Sequence, residues 1–152
     1  IACMANTLPV NDTPAVTRYI TEKAEKEGVV EVLPIGAATH GLRGERLSEI
    51  GLMKKAGIVA LSDDGFSVRD AGMLRIVMEY ARRFDLTLIE HCEDLSAAGS
   101  GAVHEGETAT SMGLRGIPSV SESVIVARDI LMARWLGVSV HIAHISCRAS
   151  VD

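Results

Sequence analysis

The sequence predicts an α/β fold built on a parallel β-sheet, because short β-rich stretches alternate with amphipathic stretches along the whole chain. Its 152 residues are enough for one domain with a buried core. Of these residues 47% are hydrophobic but only 3% are aromatic, which suits closely packed layers of helix on sheet. Strict alternation of strands and helices implies right-handed crossovers, and therefore strands that run parallel.

Five strands and four helices are predicted, in the order β-(αβ)×4. The strands are expected at residues 1–6, 29–38, 58–62, 86–91 and 138–146. The helices are expected at 14–27 after a cap from Asp12 or Thr13, at 44–57, at 70–85 with Asp70 as the cap, and at 119–137. The polar, glycine-rich segment 92–118 is expected to be a long loop, with His104 on its surface.

This alternation is compatible with two architectures, a doubly wound sheet and a (β/α)8 barrel. A complete barrel needs about 250 residues, so five strands would form only part of one. No G-x-G-x-x-G motif follows any strand, which removes the usual argument for a dinucleotide-binding doubly wound sheet. Periodicity alone leaves both open.

Composition excludes several classes of partner. A net charge of −5 and a pI of about 5.5 argue against nucleic-acid binding, which requires a basic surface. No apolar run approaches the roughly 20 residues that span a bilayer, so no membrane association is expected. Three cysteines cannot all pair, which favours a reduced, cytoplasmic protein. The chain opens within a predicted strand and without an initiator methionine, so we expect it to be a fragment of a longer protein.

Polar side chains stand where the predicted strands end. The first strand ends at Asn6, the third at Asp63 and Asp64, the fourth at His91 and the fifth at His144. Both parallel architectures collect active-site groups at the carboxyl ends of their strands. Imidazole and carboxylate together are the ligands of a hydrolytic Zn2+ site.

Side-chain alternation chooses among neighbouring candidates, because successive residues of a strand face opposite sides. Asp64, rather than Asp63, is expected on the ligand face. His144 shares a face with Ile142 in this scheme, so His141 is expected to point the other way. The predicted metal ligands are therefore Asp64, His91 from the fourth strand and His144 from the fifth.

A simpler interpretation of each residue stays open. A histidine at a strand end is more often a hydrogen-bonded structural group than a metal ligand, and "SDDG" alone could form a turn. Glu90 is expected to meet a helix or a salt-bridge partner, and Glu93 and Asp94 to cap a turn. Cys92 and Cys147 are expected to be small buried residues, since no adjacent base would activate a thiol.

Several longer motifs resemble those of the bacterial dihydroorotases, a family of the metal-dependent amidohydrolase superfamily. They are "MANTLP", "SDDG", "EHCED", "GLRGIPSVSE" followed by "VARD", and "HIAHIS", and together they extend over essentially the whole chain. The "SDDG" element stands where related cyclic amidohydrolases carry a carboxylated lysine. It is therefore similar to the dihydroorotases that use aspartate at this position.

The resemblance implies a partial (β/α)8 barrel, with residues 1–152 forming the central part of one domain, barrel strands two to six. It implies one or two Zn2+ ions with Asp64, His91 and His144 as ligands, and Asn6 as a residue that binds the substrate carboxylate. The segment 92–118 would then form part of the active-site rim.

Two further elements of the family have no counterpart in this sequence. The His-x-His-x-Arg motif is expected to precede Ile1, and the catalytic Asp that serves as general base is expected to follow Asp152. No catalytic residue is therefore identified within the chain. This chain alone is not expected to be a competent enzyme.

The implied reaction is the reversible closure of N-carbamoyl-L-aspartate to dihydroorotate in pyrimidine biosynthesis. A homo-oligomer or aspartate transcarbamoylase are the implied protein partners. An allantoinase or hydantoinase relative, or an inactive scaffold for aspartate transcarbamoylase, are the alternatives.

Overall fold

A parallel sheet of five strands forms the centre of the molecule in a computed structural model that describes residues 1–152. The seven strands of the chain are β1 (Ala2–Cys3), β2 (Leu33–Gly36), β3 (Ala60–Leu61), β4 (Thr87–Glu90), β5 (Val103–His104), β6 (Gly116–Ile117) and β7 (Val140–Ile142). The main sheet has the order β1-β2-β3-β4-β7, and every neighbouring pair in it is parallel. All five predicted strands are confirmed, although each is shorter than its apolar run.

Six α-helices accompany the strands: α1 (Pro14–Glu27), α2 (Ile50–Ala56), α3 (Ala71–Arg82), α4 (Leu95–Ala98), α5 (Glu107–Ser111) and α6 (Val120–Leu136). Short 3-10 helices occupy His40–Leu42 and Arg148–Ser150. Even α6, the longest helix at 17 residues, lacks the length and apolar character that crossing a bilayer requires.

The start of α3 shows the predicted cap. The Asp70 carboxylate accepts a hydrogen bond from the backbone N–H of Met73 at 2.9 Å, which satisfies one of the free N–H groups of the first turn. The apolar face that follows is buried at Leu74, Val77 and Met78. Cap and periodicity together therefore define this helix.

The first two helices depart from the sequence prediction. Thr13 precedes α1 without capping it, and the Asp12 carboxylate instead contacts the His40 ring at 2.8 Å and the Gly41 N–H at 2.9 Å. The second helix begins at residue 50 rather than 44, because Ser48 donates its N–H to Ala38 O at 3.1 Å. Together with the hydrogen bond from Gly44 N–H to the Thr39 hydroxyl, this contact ties the segment before α2 to the end of β2.

The core lies between one face of the sheet and the helices. Leu61 and Leu88 contribute from β3 and β4, and Ile50, Met53 and Leu74 from α2 and α3. All five are essentially inaccessible to solvent. This buried layer fixes the carboxyl ends of β3 and β4, where the candidate site lies.

The segment 92–118 is not an irregular loop, contrary to the prediction. It contains α4, α5 and a two-stranded parallel ribbon of β5 and β6. Asp94 begins α4 by accepting hydrogen bonds from the N–H groups of Ser96 and Ala97, as expected for a capping residue. The ribbon requires glycine at 116, since a Cβ there would lie 2.5 Å from the Cα of Glu105. Helix and strand signals this short are below what periodicity can detect.

Candidate metal centre

Three of the predicted residues converge at the carboxyl ends of three neighbouring strands. Asp64 follows β3, His91 follows β4 and His144 follows β7. One ligand atom from each lies within 4.8 Å of the other two. No other group of three or more histidine, cysteine or acidic side chains in the chain approaches so closely.

The separations between these atoms fit a single small cation. His91 Nδ1 lies 3.1 Å from His144 Nε2, His144 Nε2 lies 3.0 Å from Asp64 Oδ1, and His91 Nδ1 lies 3.6 Å from Asp64 Oδ1. Tetrahedral zinc with bonds near 2.0–2.2 Å places its ligand atoms about 3.3–3.6 Å apart, so two of these separations are only a few tenths of an ångström shorter. Two imidazoles and a carboxylate are also the donors that zinc prefers. The residues present therefore fit this ion in both chemistry and spacing.

The two adjacent aspartates have different surroundings. Asp63 is buried, and its carboxylate accepts hydrogen bonds from the N–H groups of Ala38 and Thr39, both at 2.9 Å, and from the Thr39 hydroxyl at 2.5 Å. Burial raises the pKa of Asp63, and these hydrogen bonds oppose the rise. Asp63 thus ties the end of β3 to the end of β2 and leaves Asp64 to face the histidines.

His91 is held from both sides. The Ser67 hydroxyl lies 2.5 Å from the carbonyl oxygen of His91 and accepts a hydrogen bond from the N–H of Glu93 at 2.9 Å. The Glu93 carboxylate lies 3.5 Å from His91 Nε2, the ring nitrogen that faces away from the cluster. A carboxylate beside the distal nitrogen of a ligand histidine is a common orienting arrangement in metal sites. Ser67 was not singled out by sequence, because it lies 24 residues from His91.

The position of His144 corrects the alternation argument. In the parallel register His141 pairs with Ile89, and Ile142 packs instead with Cys92 and α6 on the helix side of the sheet. Unbroken alternation would have sent His144 to that helix side as well. Its backbone φ is +35°, which turns the chain after β7 and brings the imidazole to the cluster. His144 does lie in the cluster, as predicted, but the prediction that it shares a face of the sheet with Ile142 was wrong.

Asn6 is not part of this cluster. It is exposed beyond the end of β1, an edge strand that β2 separates from β3. The carboxyl end of β1 faces the same edge of the sheet as the three other strands, as predicted. Its role toward a substrate stays a prediction.

Asp152, the last residue of the chain, is also separate from the cluster. Its side chain is 67% exposed and pairs with Arg148, whose Nε lies 3.3 Å from Asp152 Oδ2. Of the three clustered ligand atoms, the acidic one belongs to Asp64. Asp152 is therefore not the expected general base, and a base that follows Asp152 in sequence stays a prediction.

A cavity of about 420 Å3 opens beside the two histidines. The ribbon supplies Val103, His104 and Ile117 to its wall, and α6 supplies Glu122. The segment 92–118 therefore lines the space next to the cluster, as expected for a rim. His104 was treated as a surface residue, and no sequence signal connected it with the histidines.

A buried polar cluster lies behind β4, on the side away from His91. Glu90 accepts a hydrogen bond from the N–H of Val68 at 3.3 Å, and Arg128 from α6 pairs with Asp129 at 2.7 Å and donates to Val68 O at 2.9 Å. Burial raises the pKa of Glu90 to about 9, and the nearby Asp129 charge adds to the rise. Glu90 thus lies near Arg128 and Asp129 of α6, but its hydrogen-bond donor is the Val68 N–H before α3, and Arg128 pairs with Asp129 rather than with Glu90.

The cysteines show no sign of an activated thiol. Cys92 and Cys147 are both buried, as predicted. Burial raises the pKa of the Cys92 thiol, and Asp129, whose Oδ2 lies 3.6 Å from Sγ, raises it further. A thiol in this environment is not a nucleophile at neutral pH.

Comparison with solved structures places the fold. The L-hydantoinase (dihydropyrimidinase) from Arthrobacter aurescens superposes with a TM-score of 0.74 over 99% of this chain and 35% of its own, at 19% sequence identity. The parallel sheet and its helices thus form part of a (β/α)8 barrel, which confirms the predicted fold class.

Sequence comparison is more specific. The model of the family described as Dihydro-orotase-like matches residues 1–150, and the chain belongs to this family. The dihydroorotase of Solibacter usitatus is 52% identical over 151 residues, which are 99% of this chain and 35% of that protein. The dihydroorotase of Acetivibrio thermocellus is 50% identical over 152 residues, 100% of this chain and 36% of that protein. The chain spans about a third of the length of these relatives.

Proposed function

We propose that the protein containing this chain is a zinc-dependent dihydroorotase of the aspartate-ligand type, acting in pyrimidine biosynthesis. The observation that carries the proposal is the convergence of Asp64, His91 and His144 within 4.8 Å in a chain of the dihydroorotase-like family. The implied substrates are dihydroorotate and N-carbamoyl-L-aspartate.

In this proposal the three side chains hold zinc, and the sheet fixes where they stand. A bound zinc ion would polarise the cyclic amide carbonyl and increase the acidity of water. Glu93 orients His91 through its distal ring nitrogen, while Ser67 holds the backbone on either side of Cys92. Asn6 hydrogen-bonds the substrate carboxylate from the neighbouring end of β1.

The general base is proposed to follow Asp152, and the substrate-binding arginine to precede Ile1, in the two thirds of the relatives' length that this chain does not span. No further acidic group stands free beside the cluster to take the role of the base. Asp63 is engaged by backbone and hydroxyl donors, and Glu93 faces the His91 ring. Turnover is therefore assigned to the full-length protein.

The test uses the full-length zinc protein, assayed with dihydroorotate, allantoin and hydantoin. We expect turnover of dihydroorotate, and loss of both bound zinc and activity in His144→Ala. The matched control is His141→Ala, which removes another imidazole three residues earlier and should leave zinc content unchanged. Turnover of allantoin or hydantoin alone would reject the proposed substrate, and equal zinc loss in both variants would reject the ligand assignment.

The scaffold alternative predicts a protein that binds aspartate transcarbamoylase without turning over dihydroorotate. Retention of all three donor side chains at metal-binding distance favours the enzyme. A homo-oligomer or a complex with aspartate transcarbamoylase is compatible with either function, so activity decides between them.

A further inference from the structure

We propose that Glu122 is a positioning residue that holds His144 in its ligand conformation. This inference rests on the proposed function, because it assumes that His144 binds metal. Glu122 lies in the first turn of α6, and the segment it holds is the turn that follows β7.

The contact consists of three hydrogen bonds to one short segment. Glu122 Oε2 accepts from the N–H of Ser146 at 2.9 Å and from the Ser146 hydroxyl, and Glu122 Oε1 accepts from the N–H of Cys147 at 3.1 Å. Both carboxylate oxygens thus accept hydrogen bonds, and the donors lie two and three residues after His144 in sequence. Although Glu122 lines the cavity, its oxygens face the protein backbone and are not free ligands.

His144 needs such an anchor because its own conformation is unfavourable. Its φ of +35° lies in a region that residues with a Cβ rarely adopt, and it reverses the side the ring would otherwise face. The His144 side chain is 54% exposed, whereas that of His91 is 22% exposed, so packing gives His144 less support. Sheet hydrogen bonding also ends just before it, at the bond from Ala143 N–H to Glu90 O of 3.0 Å.

The Glu122 carboxylate is suited to a permanent contact. Its partial burial would raise its pKa, but hydrogen bonds from the Ser146 hydroxyl and from the N–H groups of Ser146 and Cys147 outweigh this. They lower the pKa from 4.5 to about 2. The carboxylate is therefore charged at neutral pH and accepts hydrogen bonds more strongly than a neutral group would.

The test compares zinc affinity in full-length variants by competition with a chelator. Glu122→Gln keeps the side-chain shape but presents an amide N–H₂ group to backbone donors. We expect zinc binding to weaken by about tenfold, the lower range found when a partner of a ligand histidine is removed. The control is Glu107→Gln, another glutamate in the first turn of a helix, which is exposed and should leave affinity unchanged.

Two further measurements separate positioning from general destabilisation. Loss of the carboxylate should itself lower the urea midpoint of metal-free Glu122→Gln, so zinc affinity is compared only under conditions where circular dichroism shows every metal-free variant to be fully folded. Ser146→Ala removes one of the three hydrogen bonds and should weaken zinc binding by about threefold, a smaller loss through the same contact. This variant also serves if Glu122→Gln does not fold.

The outcomes distinguish this inference from the proposed function. If His144→Ala weakens zinc binding but Glu122→Gln and Ser146→Ala behave like Glu107→Gln, Glu122 is not a positioning residue and the metal site stands. If His144→Ala binds zinc as tightly as wild type, the metal site fails and the positioning role fails with it. Weaker zinc binding in all three variants, measured while the metal-free proteins are fully folded, supports both.

Discussion

Neighbouring residues of like chemistry have opposite roles at this site. Asp63 is enclosed by Ala38 and Thr39, whereas Asp64 reaches His144. Strand alternation favoured Asp64 over Asp63, although β3 ends at Leu61 and both aspartates lie in the segment that follows it. The same alternation argument assigned His144 to the wrong side of the sheet, because the chain turns at the positive φ of His144. No glycine in the sequence marks this turn.

The two aspartates should therefore separate stability from metal binding. Asp63→Ala leaves three donors without an acceptor and should destabilise the metal-free full-length protein by about 3 kcal/mol. Asp64→Asn should change that stability little but reduce bound zinc. Urea denaturation and elemental analysis measure the two effects. An Asp63→Ala protein as stable as wild type would contradict the structural role of this carboxylate.

At the scale of elements, apolar periodicity predicted the strands and long helices, since each buries a continuous face. The predicted α3 agrees with the structure because the Asp70 cap and the apolar face that includes Leu74 and Val77 define the same helix. The start of α2 could not be predicted, since it depends on a contact between Ser48 and the end of β2. The ribbon of β5 and β6 was missed because two-residue strands are too short to show a periodic pattern. The position of His104 beside the site was missed for the same reason.

The ribbon offers a test of the cavity wall. Gly116→Ala would place a Cβ 2.5 Å from the backbone of Glu105 and force β5 and β6 apart. We expect kcat/KM for dihydroorotate to fall by about 10- to 100-fold with zinc content unchanged, because the ribbon contributes wall residues but no metal ligand. The control is Gly106→Ala in the same segment, where an added Cβ meets nothing within 4 Å. Equal effects of the two substitutions would show that the ribbon does not shape the substrate cavity.

At the scale of the whole molecule, the sheet is open at both edges. β1 and β7 each pair on one side only, so their outer backbone groups have no partner strand. α6 also leaves Leu131 and Trp135 about two-thirds exposed. Such surfaces are expected where further strands and helices complete a barrel, and the chain spans about a third of its relatives' length.

Residues 1–152 expressed alone should therefore behave differently from the full-length protein. We expect the isolated chain to aggregate or to melt without a cooperative transition, and the full-length protein to melt cooperatively. Size-exclusion chromatography and differential scanning calorimetry compare them. An isolated chain that remains monomeric and unfolds in one sharp transition would contradict the incomplete-barrel interpretation.

The three strand ends that meet at the cluster are remote along the chain. Asp64 and His144 are separated by 80 residues, and His91 and His144 by 53. An ion held by all three would therefore act as a removable cross-link that closes loops as long as those of many disulfides. Such a cross-link would be complete only where the ends of β3, β4 and β7 lie together, so ion binding would stabilise the assembled sheet over the unfolded chain.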